Sequence, residues 1–477
     1  MLKKDILAEV LDQALLKGGD FAEIYIEEKQ ASNVICEDNR IEKINSGREK
    51  GAGIRVVKDG NTAYVYTNDL SRESLIKAAN VASHALTSEN PELMEREINL
   101  TVRKPNFEIN YKRLPDTVTF DEKIEKVLEV NKVARNVSEE IRQVTVAAGD
   151  IHKKIQIANS DGDYVEDERV RVRLIASTVA YRDGLIQTGY ESAGGVIGWE
   201  ILEKVSFEDL GERAANLSIR MLDANPAPAG RMPVVMSAEA GGTMVHEACG
   251  HGLEADLVQK GLSVYKNKIG EKVAADEVTV IDDATIDNKY GTYRFDDEGV
   301  AGERTVLIKD GYLTNYMYDR LTAQKEGRNS TGNGRRESYQ HKPIPRMSNT
   351  FIASGSSDPE EIIKSTKHGL FVKKMGGGQV NTTYGDFVFE VQEGYIIEDG
   401  EIKYPVRGAT LSGNGPKALA EIDRVGKDLG FAIGTCGKDG QGVPVSDAQP
   451  TIRIKQLTVG GTAHSEEGLQ IKRIRRK

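Results

Sequence analysis

Cysteine and proline are scarce in this chain, and long apolar runs are missing altogether. Three cysteines, Cys36, Cys249 and Cys436, in 477 residues cannot build a disulfide framework, so the sequence points to a reducing, cytoplasmic setting. No apolar stretch approaches the ~20 residues that a membrane-spanning helix requires. The opening MLKKDILAEVLDQALLKGGD is interrupted by Asp5, Glu9 and Asp12. It is expected to be an amphipathic helix, with Ile6, Val10, Leu11 and Ala14 near one face, and not a signal peptide. An excess of positive charge is also lacking. The net charge of -10 excludes a general nucleic-acid binder, whose affinity rests on clustered Lys and Arg. The one basic run, KRIRRK at 472–477, reads as a solvated tail. Thirteen prolines stand against 48 glycines, a balance that favours hairpin turns and hence much β-structure.

The pattern along the chain predicts an α+β fold. After the first helix, 21–27 (FAEIYIE) alternates apolar and polar residues as a half-buried strand does, and 34–37 starts another. Residues 55–67 read as two strands around Asp59-Gly60, and 71–86 as a helix. A similar order recurs: a helix over 120–141, strands at 143–148 and 154–158, a turn at SDGD, a long strand over 165–181 turning at Asp183-Gly184, and a helix over 207–221. We therefore expect an N-terminal α+β domain over 1–225, built of two helix-plus-hairpin units at 1–95 and 100–225. The boundary is NPAPAG at 225–230, followed by the strand MPVVMS. Beyond it, turn pairs at Asp310-Gly311, Asp399-Gly400 and Asp439-Gly440 predict a mainly antiparallel, barrel-like domain over 226–477.

That second domain contains VHEACGHGLEAD. Zinc-protease helices space their histidines four residues apart, on one face. Here His246 and His251 are five apart. On a regular helix, four steps leave side chains about 40° apart and five steps about 140° apart. A π-bulge would restore a common face, and so would a break at Gly250. Cys249, three residues after His246, is the geometrically easier partner, and spacing alone weighs it equally with His251. The bland alternative is a packed helix, capped by Ser237, with two hydrogen-bonded histidines. Against that, glycines at 241, 242, 250 and 252 suit close approach of a backbone or substrate, Glu247 adjoins a candidate ligand, and a third ligand type exists in Cys436. Two imidazoles and a thiolate would give Zn²⁺ three protein ligands and an open fourth position. A buried core residue is the competing reading of Cys436.

HEACGHGLEAD, GGGQVNTTYGDFVFEVQEGY (376–395) and GTCGKDGQ (434–441), in that order and with PIPRMSNT and KQLTVGGT, resemble the TldD branch of the TldD/PmbA proteins. The resemblance implies a cytoplasmic zinc metalloprotease that forms a dimer, homomeric or with a PmbA-like subunit, and trims unfolded peptides or peptide leader segments. It places metal ligands at His246, His251 and Cys436, which favours His251 over Cys249, and the catalytic base at Glu247. Gly376, Gly377 and Gly378 are candidates to expose backbone to an extended peptide; a bulge or turn is the alternative reading. Glu254 and Asp256 either support the histidines or line a solvated face. His341, Arg335 and Arg336 are read as structural. The family has also carried a gyrase-modulator label, so the alternative function is a regulatory, protein-binding chain whose metal, if any, is structural.

Overall fold

A computed structural model describes residues 1–86 and 98–463; the basic run at 472–477 lies outside the described residues. Seven strands of the N-terminal half share one sheet: β1 (Phe21–Glu37), β2 (Arg40–Lys58), β3 (Asn61–Thr67), β4 (Thr101–Val102), β5 (Ile141–Asn159), β6 (Asp163–Arg182) and β7 (Leu185–Gly195), in the order β3-β2-β1-β5-β6, with β4 and β7 both on the outer edge of β6. Strands β1–β3 and β4–β7 thus join edge to edge at β1 and β5. β1 and β5 pair antiparallel from Glu23↔Asn159 to Glu37↔Thr145.

Strict alternation gives this sheet two different faces. Even-numbered residues lie under four helices, α1 (Lys4–Leu15), α2 (Arg72–His84), α3 (Phe120–Asn136) and α4 (Phe207–Leu222). Ala22, Ile24 and Ile26 pack with α1 and α2, while Val34, Cys36, Val144 and Val172 pack with α3 and α4. Cys36 is simply core. Odd-numbered residues face the C-terminal half. Tyr25, Ile155, Ile157 and Val165 meet Phe295 and Tyr339 there. Around them lie buried charges: Glu23 accepts from Arg336 at 2.6 Å, Arg169 donates to Asp297 at 2.7 Å, and Arg55 pairs with Glu298.

The sequence reading missed most of β1 and β2 between 28 and 50. That hairpin turns at Asp38-Asn39, both with positive φ, and from 40 to 50 it is mostly exposed, so no apolar period marks it.

In the C-terminal half, strands Gly230–Met236, His368–Asn381, Asp386–Glu398, Thr410–Asn414 and Ile452–Gly460 close into a five-stranded barrel. The closing pair is the hairpin His368–Asn381 with Asp386–Glu398. A six-stranded sheet packs beside it and ends in the hairpin Gly430–Lys438 and Gln441–Gln449, which turns at Asp439-Gly440 with φ of 50° and 72°. Among the described residues, no helix is long and apolar enough to cross a membrane.

Breaking a buried pair leaves an uncompensated charge, so Arg336→Leu is expected to cost about 3–5 kcal/mol, read as a lower urea midpoint. Arg48→Ala removes an exposed partner of Glu28 and is expected to move the midpoint by less than about 1 kcal/mol of stability.

Candidate metal centre

The motif segment is not one helix from 238 onward, as the Ser237 cap suggested. A 3-10 turn at Ala238–Ala240 stops at Gly241, whose φ is 71°, and the Ser237 hydroxyl donates instead to the Lys373 carbonyl at 3.1 Å. One α-turn, Thr243–Val245, then leads into a π turn over His246–Gly250 and a 3-10 turn over His251–Leu253. In the π turn the His251 N–H donates to the carbonyl of His246, five residues back. The extra residue between the histidines is absorbed there, and the rings come together with centroids 4.8 Å apart and planes at 84°.

The glycines that thin this segment are filled by the chain itself, not by open space. A Cβ on Gly242 would lie 2.1 Å from the Ala448 nitrogen, and one on Gly250 would lie 2.3 Å from the Met347 sulfur. Gly242 therefore lets the histidine segment lie directly against strand Gln441–Gln449. That contact brings Asp447 within 2.8 Å of His246 Nδ1.

The hairpin brings the third group. Donor atoms of His246, His251 and Cys436 all lie within 4.8 Å of one another, and Cys436 Sγ is 3.4 Å from His251 Nε2. Tetrahedral zinc with ordinary bond lengths separates such donors by about 3.3–3.6 Å. Both imidazoles turn Nδ1 away from the cluster onto carboxylates: His246 to Asp447, and His251 to Glu254 at 3.0 Å. This arrangement fixes the ring and presents Nε2, as metal-ligating histidines require. The residues fit a dication of borderline softness such as Zn²⁺.

Electrostatics agree with that fit. Burial opposes charge on both imidazoles, but Asp447 and Cys436 push His246 well above its ordinary value, and Glu254 and Cys436 push His251 up to about 9. Burial would raise the Cys436 thiol, yet the two histidines pull it down to about 5. The three shifts are mutual: protons on the imidazoles favour the thiolate, and the thiolate favours protons on the imidazoles. Glu254 is held down at about 2 against its burial, chiefly by Lys438 and then by His251.

Cys249 is turned into the core, its thiol donating to the Val245 carbonyl at 3.4 Å, and burial pushes its pKa up to about 12. Asp256 does not reach a histidine; it pairs with Lys438 at 2.6 Å. His341 bonds Ser338, Arg335 donates to the Met347 and Pro444 carbonyls, and Arg336 stacks on Tyr25.

Glu247 lines a cavity of about 610 Å³ together with the three cluster residues, Thr243 and Gly378. Burial raises its pKa, with the histidines opposing. Gly376 and Gly377 line an adjoining cleft of about 1000 Å³ that shares Thr243. The strand carrying these glycines shifts register between Met375 and Gly378, so it is bulged there.

Sequence reasoning missed Asp447 and Lys438. The signal was present: about the Asp439-Gly440 turn, Cys436 pairs with Val443 and Ala432 with Asp447. Alternation then places Cys436, Lys438 and Asp447 on one face of the hairpin.

Three successive domain descriptions match the chain: PmbA/TldA metallopeptidase domain 1 over 22–86, the central domain over 113–222 and the C-terminal domain over 229–461. A metalloprotease TldD homolog of Haemophilus influenzae is 36% identical over 468 residues, covering 97% of each chain. A zinc metalloprotease TldD homolog of Saccharolobus solfataricus is 28% identical over 452 residues, covering 93% of this chain and 97% of its own. The crystal structure of TldE from Thermococcus kodakarensis superposes with a TM-score of 0.76 at 19% identity, covering 96% of this chain and 100% of that one, a likeness of fold. By sequence over nearly its whole length and by fold, the chain belongs to the PmbA/TldD metallopeptidase family.

Proposed function

We propose that this chain is a zinc-dependent peptidase acting on unfolded peptides, including leader segments, with His246, His251 and Cys436 as ligands and Glu247 as the base. The observation that carries the reading is the pair of Nδ1-anchored imidazoles converging with a thiolate beside an acidic side chain on a cavity wall. A bound zinc ion supplies Lewis acidity towards the scissile carbonyl and acidifies a water molecule. Glu247 takes the proton of the attacking water and returns it to the departing amine; a carboxylate raised above its usual range by burial suits both roles. Asp447 and Glu254 keep both imidazoles oriented during that exchange.

The substrate reading rests on the shape beside the cluster. Gly378 lies at the metal cavity and Gly376 and Gly377 at the adjoining cleft, so the bulged strand runs along both. An extended, unfolded peptide fits such a path, with its backbone near glycines that offer no side-chain selectivity. The working assembly is a dimer, of two copies or with a PmbA-like subunit, in the cytoplasm.

Glu247→Gln is expected to lower peptide cleavage by about 10²–10⁴-fold while leaving zinc content equal to wild type. Cleavage at the wild-type rate with full zinc would overturn Glu247 as the base, whereas a zinc-loaded wild-type protein that cleaves no peptide would make the metal structural and the chain a regulatory, protein-binding one.

Metal uptake should also depend on pH. At pH 7 Cys436 is already a thiolate, whereas both imidazoles still carry protons that zinc must displace. Apparent affinity therefore rises as pH increases towards about 9 and falls in acid, with release of roughly two protons per ion at neutral pH. Calorimetry in buffers of different ionisation enthalpy measures this; a proton count of zero would sink the ligand assignment.

A further inference from the structure

One buried cation near the cluster is unexplained by any of this. Arg346 is completely buried, yet its side chain forms no ion pair among the described residues. Its fork donates to two backbone carbonyls, those of Gln441 at 3.2 Å and of Cys436, while its Nε finds no partner. The backbone on the arginine side is pinned as well, because the Arg346 N–H donates to the Asn333 carbonyl at 2.9 Å and the Asn333 amide donates back to the Arg346 carbonyl at 3.0 Å. A guanidinium taken out of water costs several kcal/mol unless an anion compensates it. Carbonyl dipoles offset part of that cost. The acidic group whose charge Arg346 favours is Glu254, the carboxylate that anchors His251, while its fork holds the backbone of the ligand Cys436.

The centre is also rich in acidic groups. Glu247, Glu254, Asp447 and the Cys436 thiolate lie at it, and the buried Asp256 shares Lys438 with Glu254, at 2.6 and 3.1 Å. Lys438 therefore serves two carboxylates, and Arg346 is a further buried cation beside them, one that helps to hold the Glu254 pKa down.

We infer that Arg346 is a positioning residue for the metal-binding thiolate, fixing the Cys436 carbonyl and offsetting the charge that the sulfur donates. The inference rests on the zinc reading above. It says why this position carries arginine. Lysine keeps the charge but offers no planar fork to span two carbonyls at once.

The test uses the full-length protein loaded with Co²⁺ or Zn²⁺ and two readouts besides activity: the thiolate-to-cobalt charge-transfer band, and zinc affinity by chelator competition. Arg346→Met is expected to weaken zinc binding by about 10–100-fold and to shift the charge-transfer band, with kcat falling more than KM changes. Arg346→Lys, which retains the charge but loses the fork, should restore only part of the affinity and leave the band shifted. Arg335→Met serves as the control, because Arg335 straps the same hairpin through Pro444 without touching Cys436, and it should leave the band in place. A wild-type band and affinity in Arg346→Met would overturn the inference. So would an equal shift in Arg335→Met, which would mean that hairpin stiffness alone matters. A wild-type protein that shows no thiolate band at all would sink the metal assignment itself, and this inference with it.

Discussion

The extra residue between His246 and His251 has to be absorbed by the backbone, and everything at the centre follows from where that happens. A regular helix would separate the rings by about 140°, with the second histidine facing the wrong layer. One π turn at His246–Gly250 removes the misfit. Its cost is a widened, poorly packed turn, and the surrounding residues fill it. Met347 fills the space at Gly250, Tyr265 packs at Gly252, and Gly415 lies against the Ala248 carbonyl. Of the two approaches these glycines suit, backbone or substrate, the structure shows the first at Gly242, and the protein's own side chains at Gly250 and Gly252.

The same economy joins the two halves of the molecule. The odd face of the N-terminal sheet carries charged residues, unusual for a sheet face under another layer. Glu23, Arg55 and Arg169 find partners in the segments 295–298 and 334–336, Arg171 donates to the Tyr290 and Thr292 carbonyls, and Glu27 pairs with Lys153 in the sheet itself. Neighbouring residues on one short segment therefore serve opposite directions. Arg336 turns back to Glu23 in the sheet, and Arg335 turns forward to the hairpin beneath the metal cluster.

Much of this was legible in the residues. The Asp-Gly pairs read as turns at 59, 183, 310, 399 and 439 adopt left-handed backbone at both positions, whereas the turn at SDGD does so only at Gly162. The two-faced sheet shows in the alternation of 21–27 and 165–181, and the barrel in the run of hairpins after 226. What escaped had physical reasons. The outer half of the β1–β2 hairpin is exposed and so leaves no apolar trace. The continuity of β1 with β5 is a pairing between residues more than a hundred positions apart, which no local pattern encodes. Asp447 was hidden because its role depends on hairpin register, not on spacing from a histidine. Glu254 was read correctly as a candidate partner and Asp256 was not, since two steps along the chain turn it towards Lys438 instead.

The distance along the chain between the two parts of the cluster has a consequence for how the protein is made. His251 and Cys436 are 185 residues apart. A ribosome adding about 5–20 residues per second needs roughly 10–40 s to cross that interval. Throughout that time the nascent chain displays two histidines and a glutamate with no thiolate to complete them. Fragments that stop short of the last hairpin are equally incomplete. With Cys436 as the third ligand, peptide-cutting chemistry waits until the hairpin of Gly430–Lys438 and Gln441–Gln449 has been made.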